Sequence, residues 1–278
     1  MKPATSDHAA LTIAGSDPSG GAGIQADLKT FTALGVYGGA VITCLTAQNS
    51  LGVRSTQPVE PDFVREQARL VLDDLPVTHI KTGMIGTGAV ANAVGDILRD
   101  FEGIVVCDPV FRASGGKDLL EADGFDAFQR QVVGNATFIT PNVFELEHLS
   151  GLPCRKEEEV LQAGLFLLEK FSNLAGVILT GGHLGGPGLP VKDYFIRRTA
   201  DSKKPQTLGA EHERIRTQNT HGTGCTFASA FTAYHLLTND ADKSFYQAVA
   251  FMDQVIRKSA DLSLGKGNGP LAHHLYRP

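Results

Sequence analysis

The chain has 278 residues, and because 42% of them are hydrophobic and 20% are charged, it can bury a sizeable core. A formal net charge of -5, with no basic run and no tryptophan, argues against a nucleic-acid-binding protein. No stretch reaches the ~18 apolar residues of a membrane span, and the first apolar run is too short for a signal peptide.

Short apolar runs alternate along the chain with longer amphipathic segments. The apolar runs predict strands at 10–15, 40–46, 78–83, 103–108, 136–140 and 176–182. The amphipathic segments predict helices at 23–34, 61–73, 89–101, 142–150 and 157–172. Near-continuous apolar strands are typical of sheets covered on both faces. The alternation therefore predicts an α/β fold with a doubly wound, mostly parallel central sheet flanked by helices.

The segment 188–218 interrupts this alternation. "VKDYFIRR" predicts a strand, and "PQTLGAEHERIRTQ" predicts one or two more, which we expect to be antiparallel edge strands. Two long helices follow, at about 223–237 and 242–262. Since no repeat, low-complexity tract or linker is visible, we expect a single domain over residues 1–278.

A glycine-rich loop follows the first predicted strand in "GSDPSGGAGIQADLKTF". It is not a Walker A loop and matches the dinucleotide-binding pattern only in part. Its glycines allow a ligand to approach the backbone closely, and Asp17 or Asp27 could hydrogen-bond that ligand. The alternative is a tight strand–helix turn in which Asp27 is an exposed helical acid.

Two further strand ends carry residues suited to a flat heteroaromatic ring. Gln48 and Asn49 in "TAQNSLG" offer amide donors and acceptors, although ordinary turn residues would look similar. Met84 in "TGMIG" could line an apolar pocket, although a core-filling methionine is more common.

Acidic residues follow the next two strands. Asp108 in "CDPV" would be costly to bury unpaired and could serve a substrate hydroxyl or a metal-bound water. Asn142 and Glu145 lie three residues apart at the start of a helix and could hold a hydrated Mg²⁺ through water. The alternative for this pair is an N-cap with a capping-box acid.

The stretch "NTHGTGCTFASA" places a cysteine where a glycine-rich loop becomes a helix. The amides of Gly222, Thr223 and Gly224, together with the helix start, can form an anion hole. The same field would lower the pKa of Cys225, which could then act as a base or nucleophile. For this motif alone, a glycine-rich cap with an inert cysteine is the more common explanation.

These motifs together resemble those of the hydroxymethylpyrimidine/phosphomethylpyrimidine kinases of thiamine biosynthesis, which have the ribokinase-like fold. The resemblance spans nearly the whole chain and rests on "ALTIAGSDPSGGAGIQADLKTFTALGVYG", "VITCLTAQNSLGV", "KTGMIG", "DPV", "ITPNVFE", "GGHL", "NTHGTGCTFASA" and "GKGNGP". It implies that ATP and Mg²⁺ are used to phosphorylate 4-amino-5-hydroxymethyl-2-methylpyrimidine and then its monophosphate. It also implies a homodimer.

The resemblance assigns roles to individual residues. Asp108 would lie near the transferred phosphate, and the anion hole would be formed by Gly222, Thr223, Gly224 and Cys225. Cys225 stands where ribokinase relatives generally carry an aspartate base. The positions matched to the pyrimidine site are Gly15, Ala22, Asp27, Gln48, Met84 and Val110. Those matched to the Mg-ATP end are Asn142, Glu145, Thr180 and Gly182.

The chain departs from the family pattern at three places, one of which is the segment "QTLGAEHERIRTQ". Thr180 replaces the lysine that usually precedes "GGH", and "FRASGGKDLL" differs from the usual loop after "DPV". Arg112 or Lys117 could supply the missing positive charge. A pyridoxal kinase of the same fold and a non-catalytic pyrimidine-binding protein are the alternatives, with Gln48 favouring an aminopyrimidine.

The four cysteines contain no Cys-x-x-Cys pair, so neither disulfides nor a zinc site is expected. The expected location is therefore the cytoplasm, with small-molecule partners and no contact with nucleic acid or membrane.

Overall fold

A computed structural model describes residues 7–113, 116–181, 188–199 and 202–277. These ranges contain one sheet with the strand order β3-β2-β1-β4-β5-β6-β7-β8-β9. The strands are β1 (Ala9–Ser16), β2 (Tyr37–Asn49), β3 (Gly52–Pro58), β4 (Val77–Thr82), β5 (Ile104–Cys107), β6 (Phe138–Ile139), β7 (Gly176–Leu179), β8 (Val191–Thr199) and β9 (Ser202–His212). The helices are α1 (Gly23–Ala33), α2 (Pro61–Asp74), α3 (Gly88–Asp100), α4 (Phe125–Gln131), α5 (Val143–Ser150), α6 (Glu157–Lys170), α7 (Thr223–Thr238) and α8 (Ala241–Ser259).

The centre of the sheet is parallel and its edges are antiparallel. Strands β2, β1, β4, β5, β6 and β7 pair in parallel, whereas β3 on one side and β8 and β9 on the other pair antiparallel. The predicted doubly wound fold with antiparallel edge strands is confirmed.

Two elements were not predicted from the sequence, β3 and α4. Most β3 residues are exposed, so this edge strand lacks the apolar alternation that reveals a half-buried strand. Helix α4 has only 7 residues, too few to show a clear helical period. The strand predicted at 176–182 is shorter than expected and ends at Leu179.

Apolar side chains of the central strands pack on both faces of the sheet. Along β5, Val105 and Cys107 pack into the cluster formed with α2 to α6, whereas Val106 packs into the cluster formed with α7 and α8. A third cluster joins Ala10 of β1 to Phe31 of α1 and Ala233 of α7. Burial on both faces explains the continuous apolar runs of these strands.

The parallel strands all end at one edge of the sheet. β1 lies between β2 and β4, so the chain winds away from β1 in both directions. Ligands of open α/β sheets bind at such a switch point, beyond the carboxyl ends of the strands. Among helices in the described ranges, none is both long and apolar enough to cross a membrane.

Candidate active site

A cavity of about 610 Å³ opens at the carboxyl ends of the parallel strands. It is lined by all but two of the residues predicted for the site, namely Gly15, Ala22, Gln48, Met84, Asp108, Val110, Asn142, Glu145, Thr180, Gly222, Thr223, Gly224 and Cys225. The two exceptions are Asp27, which is buried elsewhere, and Gly182, which lies outside the described residues. The fold therefore brings together loops that are up to about 200 residues apart in sequence.

The glycine loops at the two ends of the chain contact each other. Gly222 is the N-cap of α7 and has a φ of 86°, in the left-handed region that favours glycine. A Cβ atom at Gly222 would collide with the carbonyl oxygen of Gly21. A Cβ atom at Gly21 would collide in turn with the ring of His221. Glycine is thus needed at both positions for the loops to pack this closely.

Asp17 is the hydrogen-bonding centre of this junction. It accepts hydrogen bonds from Ser19, from the amides of Gly21 and Ala22, and from Nε2 of His221 at 2.8 Å. Although burial acts to raise the pKa of Asp17, these bonds lower it to about 2, with the one from His221 the strongest. The carboxylate therefore stays ionised and holds the two loops together.

Gln48 and Met84 form the end of the cavity next to this junction. The Gln48 side-chain amide lies 3.2 Å from Nε2 of His221 and 3.2 Å from Oγ1 of Thr46. Met84 is 7% exposed, and a Cβ atom at Gly15 would lie only 2.8 Å from its sulfur. Met84 therefore lines the cavity as well as filling the core. An amide beside a thioether suits an aromatic ring with a polar edge.

Asp108 lines the cavity and is 2% exposed. Its Oδ2 has no hydrogen-bond partner among the described residues, and Nζ of Lys81 lies 3.7 Å away. Burial raises the pKa of Asp108 to about 6, with Lys81 opposing the shift. Asp108 can therefore both accept and release a proton near neutral pH.

Cys225 lies in the first turn of α7, as predicted, but its acidity differs from the prediction. We expected the helix start to lower the pKa of this thiol. Instead burial raises the pKa of Cys225 to about 12, and the negative charges of Asp108 and Asp27 add to the shift while Lys81 opposes it. The thiol is therefore protonated at neutral pH, and its interaction with Asp108 lowers the pKa of that carboxyl.

Asp27 does not contact the cavity, contrary to both sequence-based interpretations. It is fully buried and hydrogen-bonded on both carboxylate oxygens. Lys81 Nζ lies 3.0 and 3.1 Å from these oxygens, and the hydroxyls of Thr12 and Ser229 donate to them at 2.6 and 2.7 Å. Because no face of this carboxylate is left for a ligand, Asp27 holds Lys81 rather than the substrate ring.

Lys81 is a buried residue next to the site that the sequence analysis missed. It is a fully buried lysine at the penultimate position of β4, directly behind Asp108. The available signal was a lysine inside the otherwise strand-like run "THIKTG". A lysine is almost never fully buried unless it is paired, so its partner had to come from another element.

The other end of the cavity is built on the start of α5. Asn142 Oδ1 accepts from the amide of Glu145 at 3.0 Å, and Glu145 Oε2 accepts from the amide of Asn142 at 2.9 Å. The capping box anticipated as the alternative is therefore present. Burial, together with the charge of Asp108, raises the pKa of Glu145 well above its usual value. The buried Thr140 hydroxyl nearby has no partner among the described residues.

Thr180 lines this end of the cavity next to a network that the sequence did not indicate. The amide of Gly181 donates to Asp193 Oδ1 at 2.8 Å, and Asp193 Oδ2 lies 3.1 Å from Nε2 of His212. The bond to Asp193 raises the pKa of His212. The pairing of β8 with β9 brings Asp193 and His212 together. No local sequence motif predicted this contact.

Arg112 and Lys117 were both considered as replacements for the missing lysine. Arg112 lines the cavity, pairs with Asp118 at 2.8 Å and stacks over the Phe144 ring at 4.7 Å. Lys117 instead donates to the carbonyl oxygen of Arg54 at 3.0 Å and does not line the cavity. Of the two, only Arg112 brings positive charge to the cavity.

The sequence and the fold are similar to those of known vitamin kinases. The sequence model of a family described as phosphomethylpyrimidine kinase matches residues 17–272. A hydroxymethylpyrimidine/phosphomethylpyrimidine kinase of Staphylococcus aureus is 37% identical over 268 residues, which cover 96% of this chain and 94% of that protein.

Two solved structures extend the similarity to three dimensions. The phosphomethylpyrimidine kinase of Clostridium difficile superposes with a TM-score of 0.75 at 30% identity, covering 89% of this chain and 98% of that one. An ADP complex of Bacillus subtilis pyridoxal kinase gives a TM-score of 0.83 at 31% identity, covering 96% and 98%. Proteins with two different acceptors thus share this fold.

Proposed function

The chain belongs to the phosphomethylpyrimidine kinase family, and from this premise we propose that it is a hydroxymethylpyrimidine/phosphomethylpyrimidine kinase. It would phosphorylate 4-amino-5-hydroxymethyl-2-methylpyrimidine and then the resulting monophosphate, giving the pyrophosphate. The observation that carries this proposal is one continuous cavity. Gln48 of β2, Asp108 after β5, and Asn142 and Glu145 at the start of α5 all line it.

Gln48 supports an aminopyrimidine as the acceptor. The exocyclic amine and the adjacent ring nitrogen present one donor and one acceptor, which a primary amide complements. Met84 and Val110 supply apolar surface for the ring. Pyridoxal is the second candidate acceptor, because pyridoxal kinases are among the similar structures.

Asp108 is the group best suited to take the proton of the acceptor alcohol. Its pKa of about 6 leaves it ionised above neutral pH, whereas the Cys225 thiol, with a pKa of about 12, holds its own proton. In this scheme the alcohol oxygen bonds to the γ-phosphorus of ATP as its proton passes to Asp108, and ADP leaves. The amides at the start of α7 stabilise the negative charge of the transferring group. Cys225 then serves as a hydrogen-bond donor to Asp108.

Asn142 and Glu145 would hold hydrated Mg²⁺ through water, and Thr180 and Gly182 remain proposed nucleotide contacts. The residues present fit such an ion, because the Glu145 carboxylate is buried and the nearby Thr140 hydroxyl lacks a partner among the described residues. Bound Mg-ATP supplies the phosphoryl group. Arg112 adds positive charge at the rim of the cavity.

The assembly and the location also remain proposals. We propose a single kinase domain that forms a homodimer in the cytoplasm. Light scattering coupled to gel filtration measures the first property directly, with an expected mass of twice that of one chain.

A parallel acceptor assay tests the proposed function. ATP consumption is measured with hydroxymethylpyrimidine, with its monophosphate and with pyridoxal under identical conditions. We expect the highest kcat/KM values with the two pyrimidines. Faster turnover of pyridoxal would favour the second candidate, and no turnover with any acceptor would indicate a non-catalytic binding protein.

A further inference from the structure

Lys81 holds a positive charge in the interior, directly behind the reacting groups. The charged or titratable side chains around it are Asp27 on α1, Asp108 and Cys107 at the end of β5, and Cys225 on α7. Burial alone would lower the pKa of Lys81, but the neighbouring acidic groups raise it above its usual value. The ammonium is therefore permanently charged.

The position of this ammonium is fixed from several sides. Asp27 binds it through both carboxylate oxygens and is itself held by the hydroxyls of Thr12 and Ser229. Gly83 lies two residues after Lys81, and a Cβ atom at Gly83 would be 2.9 Å from Nζ of Lys81. Because Gly83 has no side chain, there is room for the Lys81 ammonium group. The group is held in place and cannot move toward a ligand or toward solvent.

A buried ion pair is a poor way to stabilise a protein, because desolvation of the two charges offsets their attraction. The Lys81–Asp27 pair therefore calls for a reason other than stability. Its location offers one, since Nζ lies 3.7 Å from the Asp108 oxygen that has no hydrogen-bond partner among the described residues. Asp108 carries a negative charge that burial opposes, and among the described residues Lys81 is the cation that pairs with it, at 3.7 Å.

We infer that Lys81 is a positioning residue for phosphoryl transfer, whose ammonium, anchored by Asp27, keeps Asp108 ionised as the proton acceptor. This role rests on the proposed function. Lys81 touches neither the cavity nor the substrate, so it acts only through Asp108 and Cys225. Asp27 acts one step further back, by holding Lys81 in place.

The competing explanation is that Lys81 merely neutralises Asp27. The double variant Asp27→Asn/Lys81→Met separates the two explanations, because it removes both charges and leaves no unpaired ion in the core. Lys81 influences Asp108 and Cys225 more strongly than Asp27 does. Losing both charges therefore leaves a net loss of positive charge at the two groups. Thermal unfolding checks that the double variant is folded and more stable than Lys81→Met alone.

The first measurement needs no substrate. Cys225 is partly exposed whereas Cys44, Cys107 and Cys154 are buried, so iodoacetamide should modify Cys225 first. The rate at pH 9 reports the thiolate fraction, and mass spectrometry with Cys225→Ser as the control assigns the site. We expect the double variant to react about tenfold more slowly than the wild type, the change that corresponds to one pKa unit. A wild-type rate would overturn the inference.

The second measurement is the pH profile of kcat/KM with hydroxymethylpyrimidine. We expect the acidic limb of the double variant to move to higher pH by about one unit. An unchanged limb in a folded double variant would leave Lys81 as a structural partner of Asp27 and refute the positioning role. If the wild type shows no kinase activity at all, the proposed function fails, while the alkylation rates still decide whether Lys81 supplies charge to Cys225.

Discussion

At the residue scale, the acid–base character of the site depends on burial as much as on motif. Cys225 lies at a helix start, where a lowered thiol pKa was expected, yet burial raises that pKa to about 12. Asp108 is buried beside it, but the positive charge of Lys81 limits the rise of its pKa, which reaches about 6. We therefore propose that Asp108, rather than Cys225, is the proton acceptor and that the Cys225 thiol keeps its proton.

Asp108→Asn tests this assignment. The kcat/KM for hydroxymethylpyrimidine should fall by about 10²- to 10⁴-fold, because the variant cannot accept the alcohol proton. The loss with the monophosphate should be much smaller, since the second pKa of a phosphate ester is about 6 and its oxygen is already ionised at pH 8. Both values come from steady-state assays at pH 8.

The matched control is Asp100→Asn, at the exposed end of α3, which should leave both reactions unchanged. Equal losses with the two acceptors in Asp108→Asn would contradict a role in proton transfer and would point to a general electrostatic one.

At the element scale, helix α5 combines a structural and a chemical task in its first turn. The same Asn142 and Glu145 that close the capping box also line the cavity. The two sequence-based explanations of this pair are therefore compatible rather than exclusive, although the metal-binding one remains a proposal. Strand β6 ends at Ile139, and α5 begins a few residues later, next to the carboxyl edge of the sheet. The side chains of Asn142 and Glu145 therefore lie at the cavity.

Glu145→Gln separates the two tasks. Glutamine can replace glutamate in a capping box, so the thermal midpoint should stay within a few degrees of the wild type. The charge is lost, so the Mg²⁺ concentration needed for half-maximal activity should rise about tenfold. Magnesium titrations at saturating ATP measure this shift.

Glu147→Gln on the exposed side of the same helix is the control and should change neither property. A lower thermal midpoint with an unchanged Mg²⁺ requirement in Glu145→Gln would assign Glu145 to helix capping alone.

At the scale of the whole molecule, a buried pair of histidines connects the sheet to α7. His79 Nε2 lies 3.0 Å from His235 Nδ1, and Phe138 packs against the His235 ring. Burial, followed by electrostatic repulsion between the protonated forms of the two rings, lowers the pKa of His79 to about 3, and burial also lowers the pKa of His235. Both histidines are therefore neutral in the folded protein at neutral pH.

This pair makes global stability depend on pH. Below the unfolded pKa of about 6.5, the unfolded chain binds protons that the folded one excludes. The contribution of this pair to the free energy of unfolding should therefore be fully present above pH 6.5 and should fall as the pH drops. For His79 the fall continues toward its folded pKa of about 3, by up to about 1.4 kcal/mol per pH unit, and His235 adds a loss in the same direction. Urea unfolding at pH 7, 6 and 5 measures the slope.

His79→Gln keeps a hydrogen-bonding side chain but cannot be protonated, so its slope should be shallower than that of the wild type. The exposed His274→Gln is the control and should retain the wild-type slope. Equal slopes in both variants and the wild type would mean that other groups dominate the acid sensitivity.

The sequence by itself determined the fold class and most of the cavity. Strands covered on both faces need continuous apolar runs, and glycine-rich loops at strand ends are readable because close backbone approach requires glycine. Edge strand β3 was not predicted, because most of its residues are exposed to solvent and its sequence therefore shows no alternation of apolar and polar residues.

Only the tertiary structure decided the chemistry of the centre. Lys81, Asp27 and Asp108 come from three separate elements, and Ser229 adds a fourth that lies 202 residues from Asp27. Their protonation follows from desolvation and from distances between side chains, neither of which exists until the chain is folded. For that reason the motif of Gln48 sufficed to place it at the cavity, whereas the role of Asp27, the acidity of Cys225 and the presence of Lys81 could not be predicted.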